Sequence, residues 1–295
     1  MLSILMSLAA AGALQSQQLP ERRFTCPDLP GSAELLPTAG PPAEWPIVVM
    51  GEVHGTVETP AMFGDLVCRA AMFGPVNVHL EWATSLQSQL DAYLASDGSD
   101  DARAKLYDHW QFRLKLPDGR TSEAMLTLLE RIRKLRGQGA DIRVFCSQPD
   151  FAIRQNGKSQ FYYELAMANA WATPPSDRLD ARNLVLVGNF HAARRDFRNT
   201  GAPPAASYLR SGDAILLNPL YQGGQSWTVE KGDDGELSSG AHAIGFDIAP
   251  GEGPAPRGIS LKPTKHGAYD GTYSVGGPFT ASPPAHPRNA KRPPG

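Results

Sequence analysis

The sequence predicts an α/β fold: an open, mainly parallel sheet with helices on both faces and a site at the carboxyl ends of the strands. Short apolar runs typical of fully buried strands recur along the chain, and amphipathic helical patterns lie between them. Strands that alternate with helices are typical of a parallel sheet. With 295 residues and a hydrophobic fraction of 41%, the chain can bury a sizeable core, which excludes a wholly disordered protein.

Five apolar runs are predicted to be central strands of the sheet. Each is four or five residues long and aliphatic or β-branched, and most are bounded by turn residues. The runs are 46–50, 76–80, 141–145, 183–187 and 214–217.

Helices are predicted between these runs, over 60–73, 84–95, 121–136 and 159–171. The third is the clearest, because apolar residues recur at every third or fourth position from Met125 to Leu135 and charged residues occupy the other face. Thr121 or Ser122 can cap its N-terminus, and Gly137 favours its end.

The first 18 residues are predicted to be a signal peptide. Residues 2–14 are apolar or small and uncharged, a run too short to span a bilayer, which takes about 20 residues. Residues 11–13 (Ala-Gly-Ala) offer a cleavage site and polar residues follow, although the basic residue usual near the start is missing. The protein is therefore expected to be periplasmic or secreted, with no transmembrane anchor after cleavage. A cytosolic chain with an apolar N-terminal segment is the alternative.

The two ends of the chain differ in composition from its middle. Residues 19–45 are rich in Pro, Gly and Glu and are expected to form an extended lead-in to a domain over 46–250. Residues 251–295 are again rich in proline and glycine, which oppose helix formation. We expect irregular structure there to about residue 280 and disorder after it.

Three cysteines are too few for a disulfide framework. In an exported protein one bridge can form and one thiol is left over, with all three pairings of Cys26, Cys68 and Cys146 open. Cys68 and Cys146 are equally well explained as small buried apolar residues. No C-x-x-C occurs, which argues against a thiolate zinc site.

The charge balance and the missing motifs narrow the class of partner. A net charge of -2 and a pI of about 6.4 provide no field that favours nucleic acid or an anionic membrane. No glycine-rich phosphate loop follows a strand, and no G-x-S-x-G elbow marks a nucleophilic serine. The expected partner is a small-molecule or peptide substrate, and the oligomeric state stays open.

Histidine and glutamate residues lie where the predicted strands end. Glu52 and His54 follow the first strand, Glu81 follows the second, and His191 follows the fourth. Both of these histidines close a Gly-x-x-His sequence, in which the glycine lets the backbone turn sharply out of the sheet. Because the carboxyl ends of parallel strands line one crevice, these side chains are expected to meet there.

Two imidazoles with nearby carboxylates suit two kinds of chemistry. A divalent metal such as Zn, Mn or Co would take as ligands His54, Glu58, Glu81 and His191. Metal-free acid–base catalysis would use His54, Glu52, His191 and Glu81, with histidine as base and glutamate orienting it. Glu58 has a second explanation, because a carboxylate in the first turn of a helix also favours the helix dipole.

Two arginines come soon after the second Gly-x-x-His histidine. Arg194 and Arg195 are predicted to hold an anionic substrate group or to stabilise an oxyanion, with solvated surface charge as the equal alternative. His79 shares a strand face with Glu81 by the two-residue period of a strand, and it is expected to be structural.

These strand-end motifs, from Gly51 to His191, resemble the superfamily that joins erythromycin-esterase-like hydrolases, ChaN-like haem-binding uptake proteins and Tiki metalloproteases. The resemblance covers about residues 46–220, and the stretch 269–284 is similar to the C-terminal end of esterase-like members. It implies an α/β core with the site at the strand ends. It also implies that His54 is a base or metal ligand, and that Glu52, Glu81 and His191 match the family's other site residues.

The branches of this superfamily differ in chemistry, so more than one function stays open. The leading hypothesis is an exported hydrolase in which His54 activates water against an ester, lactone or peptide bond, with or without a divalent metal. The alternative is a non-catalytic haem or metal-ion binding protein of the ChaN-like branch, although no clear tyrosine ligand for haem is evident. A third hypothesis is a degenerate member that keeps the fold and only mediates contacts.

Overall fold

The structure is a computed structural model that describes residues 24–37, 44–150, 159–198, 201–247, 253–264 and 266–286. The predicted signal peptide, the first part of the lead-in and residues 287–295 lie outside the described residues. No helix in these described ranges is long and apolar enough to cross a bilayer.

Strands and helices alternate through most of the chain, as predicted. The strands are β1 Ile47–Glu52, β2 Val76–Ala83, β3 Ile142–Gln148, β4 Arg182–Gly188, β5 Ala214–Pro219, β6 Gln225–Lys231, β7 Leu237–Ala243, β8 Gly258–Ser260 and β9 Gly271–Ser274. The helices are α1 Ser32–Leu35, α2 Glu58–Ala71, α3 Gln87–Leu94, α4 Asp100–Tyr107, α5 Glu123–Gly137 and α6 Ser159–Ala172. All five predicted strands and all four predicted helices are present, so the α/β prediction is confirmed.

A seven-stranded sheet forms the centre of the molecule, in the order β3-β2-β4-β1-β5-β9-β8. Its strands run parallel except for β8, which pairs antiparallel with β9. β4 therefore lies between β1 and β2, although it follows both in the chain. The carboxyl ends of these three neighbouring strands lie together at one end of the sheet, and Glu52, His54, Glu81 and His191 lie there.

Helices cover both faces of the sheet. Val48, Met50 and Leu80 belong to the core cluster that includes side chains of α2, α3 and α5. Val49 and Val185 belong to the opposite cluster, which is formed with α6. Buried strand residues on both faces explain why the strand sequences are continuously apolar rather than alternating.

The C-terminal segment corrects one expectation from the sequence. Residues 251–280 were expected to be irregular, but β9 extends the main sheet by pairing with β5, and β8 pairs with β9. Beyond β9, Phe279, Ala281 and Pro284 form isolated bridges with the body of the domain. The prolines of this segment lie outside β8 and β9, and a buried Tyr273 anchors β9, so high proline content did not prevent sheet pairing here.

A disulfide joins the lead-in to the domain. Cys26 and Cys68 are bonded at 2.03 Å, which selects one of the three possible pairings and attaches the lead-in to α2. Cys146 is free and buried, and burial raises the pKa of its thiol. The remaining thiol is therefore a small buried apolar residue rather than a reactive group.

Candidate active site

The first Gly-x-x-His sequence places a histidine and a glutamate at the end of β1. Glu52 is the last residue of the strand and its side chain is buried, and its Oε1 lies 2.8 Å from Nδ1 of His54. This contact occupies one ring nitrogen and leaves the other, Nε2, facing Glu81. The strand end thus delivers an oriented imidazole to the crevice.

Glu81 is the acidic residue at the centre of the site. It lies inside β2 rather than after it, at a point where the pairing of β2 with β3 shifts register. Its Oε2 accepts the amide of Gly188 at 2.8 Å, and its Oε1 accepts Nη1 of Arg120 at 3.2 Å and the hydroxyl of Tyr163 at 3.4 Å. Three donors from separate parts of the fold therefore hold one buried carboxylate.

The second Gly-x-x-His sequence places His191 directly across from His54. Its Nδ1 lies 2.7 Å from Oε2 of Glu164 on α6, and its Nε2 lies 3.6 Å from Oε1 of Glu81. His54 Nε2 lies 3.4 Å from the other oxygen of Glu81. Each ring is therefore held by its own carboxylate through Nδ1, and both rings face the same third carboxylate through Nε2.

The glycine at the end of β4 makes room for this arrangement. A Cβ atom on Gly188 would lie 2.9 Å from Nε2 of His54 and 3.2 Å from Oε2 of Glu81. Any other residue would push the two site residues apart. Gly188, the glycine of the second Gly-x-x-His sequence, is therefore required because only a residue without a side chain leaves room for His54 and Glu81.

Burial differs between the rings and the carboxylates. The side chains of His54 and His191 are 23% and 14% exposed, whereas those of Glu52, Glu81 and Glu164 are at most 4% exposed. A molecule entering the crevice therefore meets imidazole edges first, with the carboxylates behind them.

The buried carboxylates control the charge of the cluster. Burial lowers the pKa of His54, but the charges of Glu81 and Glu52 outweigh it and raise the pKa to about 10. Burial raises the pKa of Glu81, but His191, His54 and Arg120 together hold it well below its usual range. At neutral pH His54 is therefore a cation and Glu81 an anion.

Arg120, which follows no strand end in the sequence, completes the cluster. Nη1 of Arg120 contacts Glu81 and lies 2.7 Å from Oε1 of Gln148, while its Nε donates to Asp118 at 2.9 Å. Burial lowers the pKa of Arg120, but the charges of Glu81 and Asp118 outweigh burial. The net pKa is raised, so the guanidinium stays charged. It balances part of the negative charge beneath the two rings.

Glu58, Arg194 and Arg195 are not part of this cluster. Glu58 begins α2 and its Oε2 accepts the amide of Thr280 at 2.9 Å, which fits the helix-start explanation rather than a ligand role. Arg194 donates to Asp270 at 2.7 Å, so its charge is already neutralised. Arg195 is exposed. The structure thus brings together His54, Glu52, Glu81 and His191 and leaves the other three predicted residues outside.

His79 fits its structural explanation. Its ring is buried, stacks on Phe145 and lies with Nδ1 3.0 Å from Oγ of Ser147. Burial lowers the pKa of His79 to about 4, so the ring is neutral at ordinary pH.

Arg120 and Glu164 belong to the cluster but were not predicted from the sequence. Arg120 lies in the loop before α5, and no local pattern connects it with a strand end. Glu164 is the lone charged residue of α6 and is fully buried. A carboxylate within an apolar helix was an available signal, because an unpaired buried charge is costly.

The donors as they stand do not form a metal site. Among the residues that the structure describes, no group of three His, Cys, Asp or Glu side chains is arranged to hold an ion. Both oxygens of Glu81 already accept hydrogen bonds, and the Arg120 guanidinium beside it opposes a second cation. The arrangement fits acid–base chemistry by the side chains themselves better than the expected metal centre.

Comparison with known proteins identifies similar structures only. No family model matches the sequence, and no curated protein matches it. A succinoglycan biosynthesis protein is similar with a TM-score of 0.55 at 12% identity, covering 85% of this chain and 90% of that chain. A protein from Bacillus cereus is similar with a TM-score of 0.50 at 14% identity, covering 81% of this chain and 90% of that chain. This chain shares their fold.

An erythromycin esterase mutant in its open conformation is also among the similar structures. Its TM-score is 0.49 at 12% identity, and the match covers 71% of this chain and 77% of that chain.

The geometry of the cluster allows proton transfer in both directions. Each imidazole directs its Nε2 towards Glu81, and the carboxylate at its Nδ1 stabilises its protonated form. One protonated and one neutral imidazole on the same crevice would supply an acid and a base together.

Proposed function

We propose that this protein is a hydrolase that activates water with His54 and His191 against an ester, lactone or peptide bond. The observation that carries the proposal is the pairing of the two rings: each is held by its own buried carboxylate, and their Nε2 atoms lie 3.4 Å and 3.6 Å from the two oxygens of Glu81. Paired imidazoles at one crevice suit the two proton transfers of hydrolysis.

The roles of the two histidines follow from the charge of His54 and the contacts of His191. His54, whose pKa is raised to about 10, carries its proton at neutral pH and acts as acid and as partner for the developing oxyanion. His191 then acts as the base, because Glu164 engages Nδ1 and leaves Nε2 free to accept a proton from water. This assignment revises the expectation that His54 is the base.

His191 and His54 can supply every proton transfer that the hydrolysis requires. His191 takes a proton from water as the oxygen attacks the carbonyl carbon, and His54 donates to the carbonyl oxygen as negative charge develops there. When the intermediate collapses, its oxygen returns the proton to His54, and His191 gives its proton to the leaving group. Glu81 and Glu164 stabilise the imidazolium of His191 during the interval, and Arg120 keeps Glu81 in place.

The disulfide supports the proposal that this hydrolase is exported. Structural disulfides form and persist in oxidising compartments, and the bridge between Cys26 and Cys68 joins two regions of the chain 42 residues apart. Haem binding remains the alternative prediction, and no contact among the described residues favours it over hydrolysis.

The test is hydrolysis of a panel of p-nitrophenyl esters, lactones and blocked peptides by the wild type and by His54→Asn, His191→Asn and Glu81→Gln. We expect each variant to lose roughly 10²- to 10⁴-fold in kcat/KM. His242→Gln is the matched control, because His242 pairs with Glu230 at 3.1 Å on the β6–β7 hairpin and lies outside the cluster.

Two outcomes would count against the proposal. One is wild-type turnover by cluster variants that melt at the wild-type temperature. The other is a wild type that hydrolyses nothing on the panel while it is fully folded by circular dichroism.

A further inference from the structure

A second group of polar side chains lies beside the histidine cluster, at the ends of β4 and β5. Asn189 follows β4 directly, and its backbone N–H donates to the carbonyl of Glu52 at 3.0 Å. The hydroxyl of Tyr269 donates to the carbonyl of Asn189 at 2.7 Å. The backbone on both sides of Asn189 is therefore held next to the catalytic strand end, which positions its side-chain amide.

The amide of Asn189 holds two further groups, one at each end. Its Oδ1 accepts Nη2 of Arg198 at 2.9 Å, and its Nδ2 donates to the hydroxyl oxygen of Tyr221 at 2.6 Å. Because one small amide joins them, the guanidinium and the phenol are close neighbours.

Arg198 is an exposed arginine whose guanidinium is held in place by its neighbours. Its guanidinium forms no ion pair with a carboxylate among the residues that the structure describes. Instead it lies over the rings of Phe190 and Phe197, with its Cζ 5.6 Å from each centroid. An exposed arginine that is held by two rings and an amide is ordered in advance for an anion.

Tyr221 contributes a donor to the same place. Since its oxygen accepts the amide of Asn189, its own O–H proton is free, and no described residue accepts it. Tyr221 is half-buried, and burial raises its pKa to about 12, so it stays protonated at any ordinary pH. A charged donor and a neutral donor that are held by one amide can both hydrogen-bond an oxyanion.

The group is also connected with the catalytic cluster. Phe190, under the guanidinium of Arg198, packs edge-on against the ring of His191 at 5.4 Å between centroids. Phe197 leaves 48% of its surface exposed beside the guanidinium. A molecule whose anionic group is bound by Arg198 would have the exposed ring of Phe197 beside it.

We propose that Arg198 and Tyr221, held by Asn189, form an oxyanion-binding subsite, so that the substrate carries a carboxylate or phosphate next to an apolar group. That the bound anion belongs to a substrate rests on the proposed hydrolase function. That an anion binds here rests on the geometry alone. It also replaces Arg194 in the role that the sequence suggested, since Arg194 is neutralised by Asp270.

A binding measurement tests the subsite without any assay of turnover. Inorganic phosphate and benzoate are titrated by calorimetry into the wild type, Arg198→Gln, Tyr221→Phe and the control Arg210→Gln. Arg210 is an exposed arginine just before β5. It lies near the amino ends of the strands, whereas the subsite lies at their carboxyl ends. We expect Arg198→Gln to weaken binding ~10-fold or more, Tyr221→Phe to weaken it several-fold, and the control to bind as the wild type does.

Turnover of two matched esters tests the assignment to substrate. Mono-p-nitrophenyl succinate carries a carboxylate, and p-nitrophenyl butyrate is its neutral counterpart. Arg198→Gln should lower kcat/KM for the charged ester ~10-fold, chiefly through KM, and leave the neutral ester unchanged.

The outcomes separate the two proposals. Arg198-dependent binding of phosphate or benzoate with no hydrolysis of either ester would refute the hydrolase and keep the anion subsite. A wild type that binds neither probe, or Arg198→Gln that binds both with wild-type affinity, would overturn the subsite whether or not the esters are hydrolysed.

Discussion

Glu164 Oε2 lies 2.7 Å from Nδ1 of His191 and is the same oxygen that accepts the amide of Ala205 at 2.8 Å. One fully buried carboxylate on α6 therefore sets the orientation of a crevice imidazole and also holds the turn that begins at Ala205. A neutral His191 that donates through Nδ1 must leave Nε2 unprotonated, which is the form that a base requires.

The first prediction concerns this contact. Glu164→Gln keeps an acceptor of the same size but removes the charge that stabilises a protonated His191, so we expect kcat to fall roughly 10²-fold. The tautomer of His191, measured by two-bond ¹H–¹⁵N NMR, should shift from the Nδ1–H form towards a mixture. Glu236→Gln, an exposed change in the β6–β7 turn, is the control. An unchanged tautomer with unchanged kcat would show that Glu164 only supports the fold.

The second prediction concerns stability against pH. The pKa of His54 is about 10 in the folded protein and 6.5 as its ordinary value, so above pH 6.5 the folded state binds the extra proton. His54 therefore stabilises the fold fully below pH 6.5, and this contribution is lost as pH rises towards 10. Urea denaturation between pH 6 and pH 10 should show falling stability in the wild type and a flatter profile in His54→Gln. Parallel profiles for the two proteins would contradict the charged His54–Glu81 pair.

The third prediction tests the space at Gly188. Gly188→Ala places a methyl 2.9 Å from Nε2 of His54, so we expect activity to be lost and stability to fall by about 1–3 kcal/mol. Gly137→Ala is the matched control, because a Cβ on this last residue of α5 meets nothing within 4 Å. That change should leave activity intact and stability equal or higher by ~0.5 kcal/mol. Full activity in Gly188→Ala would refute the proposed packing.

The fourth prediction concerns metal dependence. Because Arg120 and the Gly188 amide already occupy the oxygens of Glu81, we expect turnover to be unchanged after dialysis against EDTA and after addition of Zn, Mn or Co. Elemental analysis of the purified protein should give well below one equivalent of any of these ions. A stoichiometric ion whose removal abolishes activity, and which His191→Asn fails to retain, would restore the metal hypothesis.

There is a physical reason why the sequence could predict that these residues meet at the strand ends. The carboxyl ends of neighbouring parallel strands meet wherever the strands occur in the chain, so Glu52 and Glu81 could be placed together with His191 from local patterns alone. Arg120 and Glu164 could not, because a loop position and the rotation of a helix against the sheet depend on tertiary packing. β9 was missed because four residues in a glycine- and proline-rich segment carry too little periodicity to predict a strand.

The position of β4 between β1 and β2 determines how much of the chain is needed before the cluster can form. The first two strands carry Glu52 and Glu81 but are not neighbours, and residues 182–188 must be inserted between them before either strand is paired on that side. A nascent chain that ends before β4 has His54 and Glu81 but lacks Gly188 and His191. Assembly of the cluster therefore depends on contacts between residues far apart in the chain, and a chain that ends before β4 cannot form it.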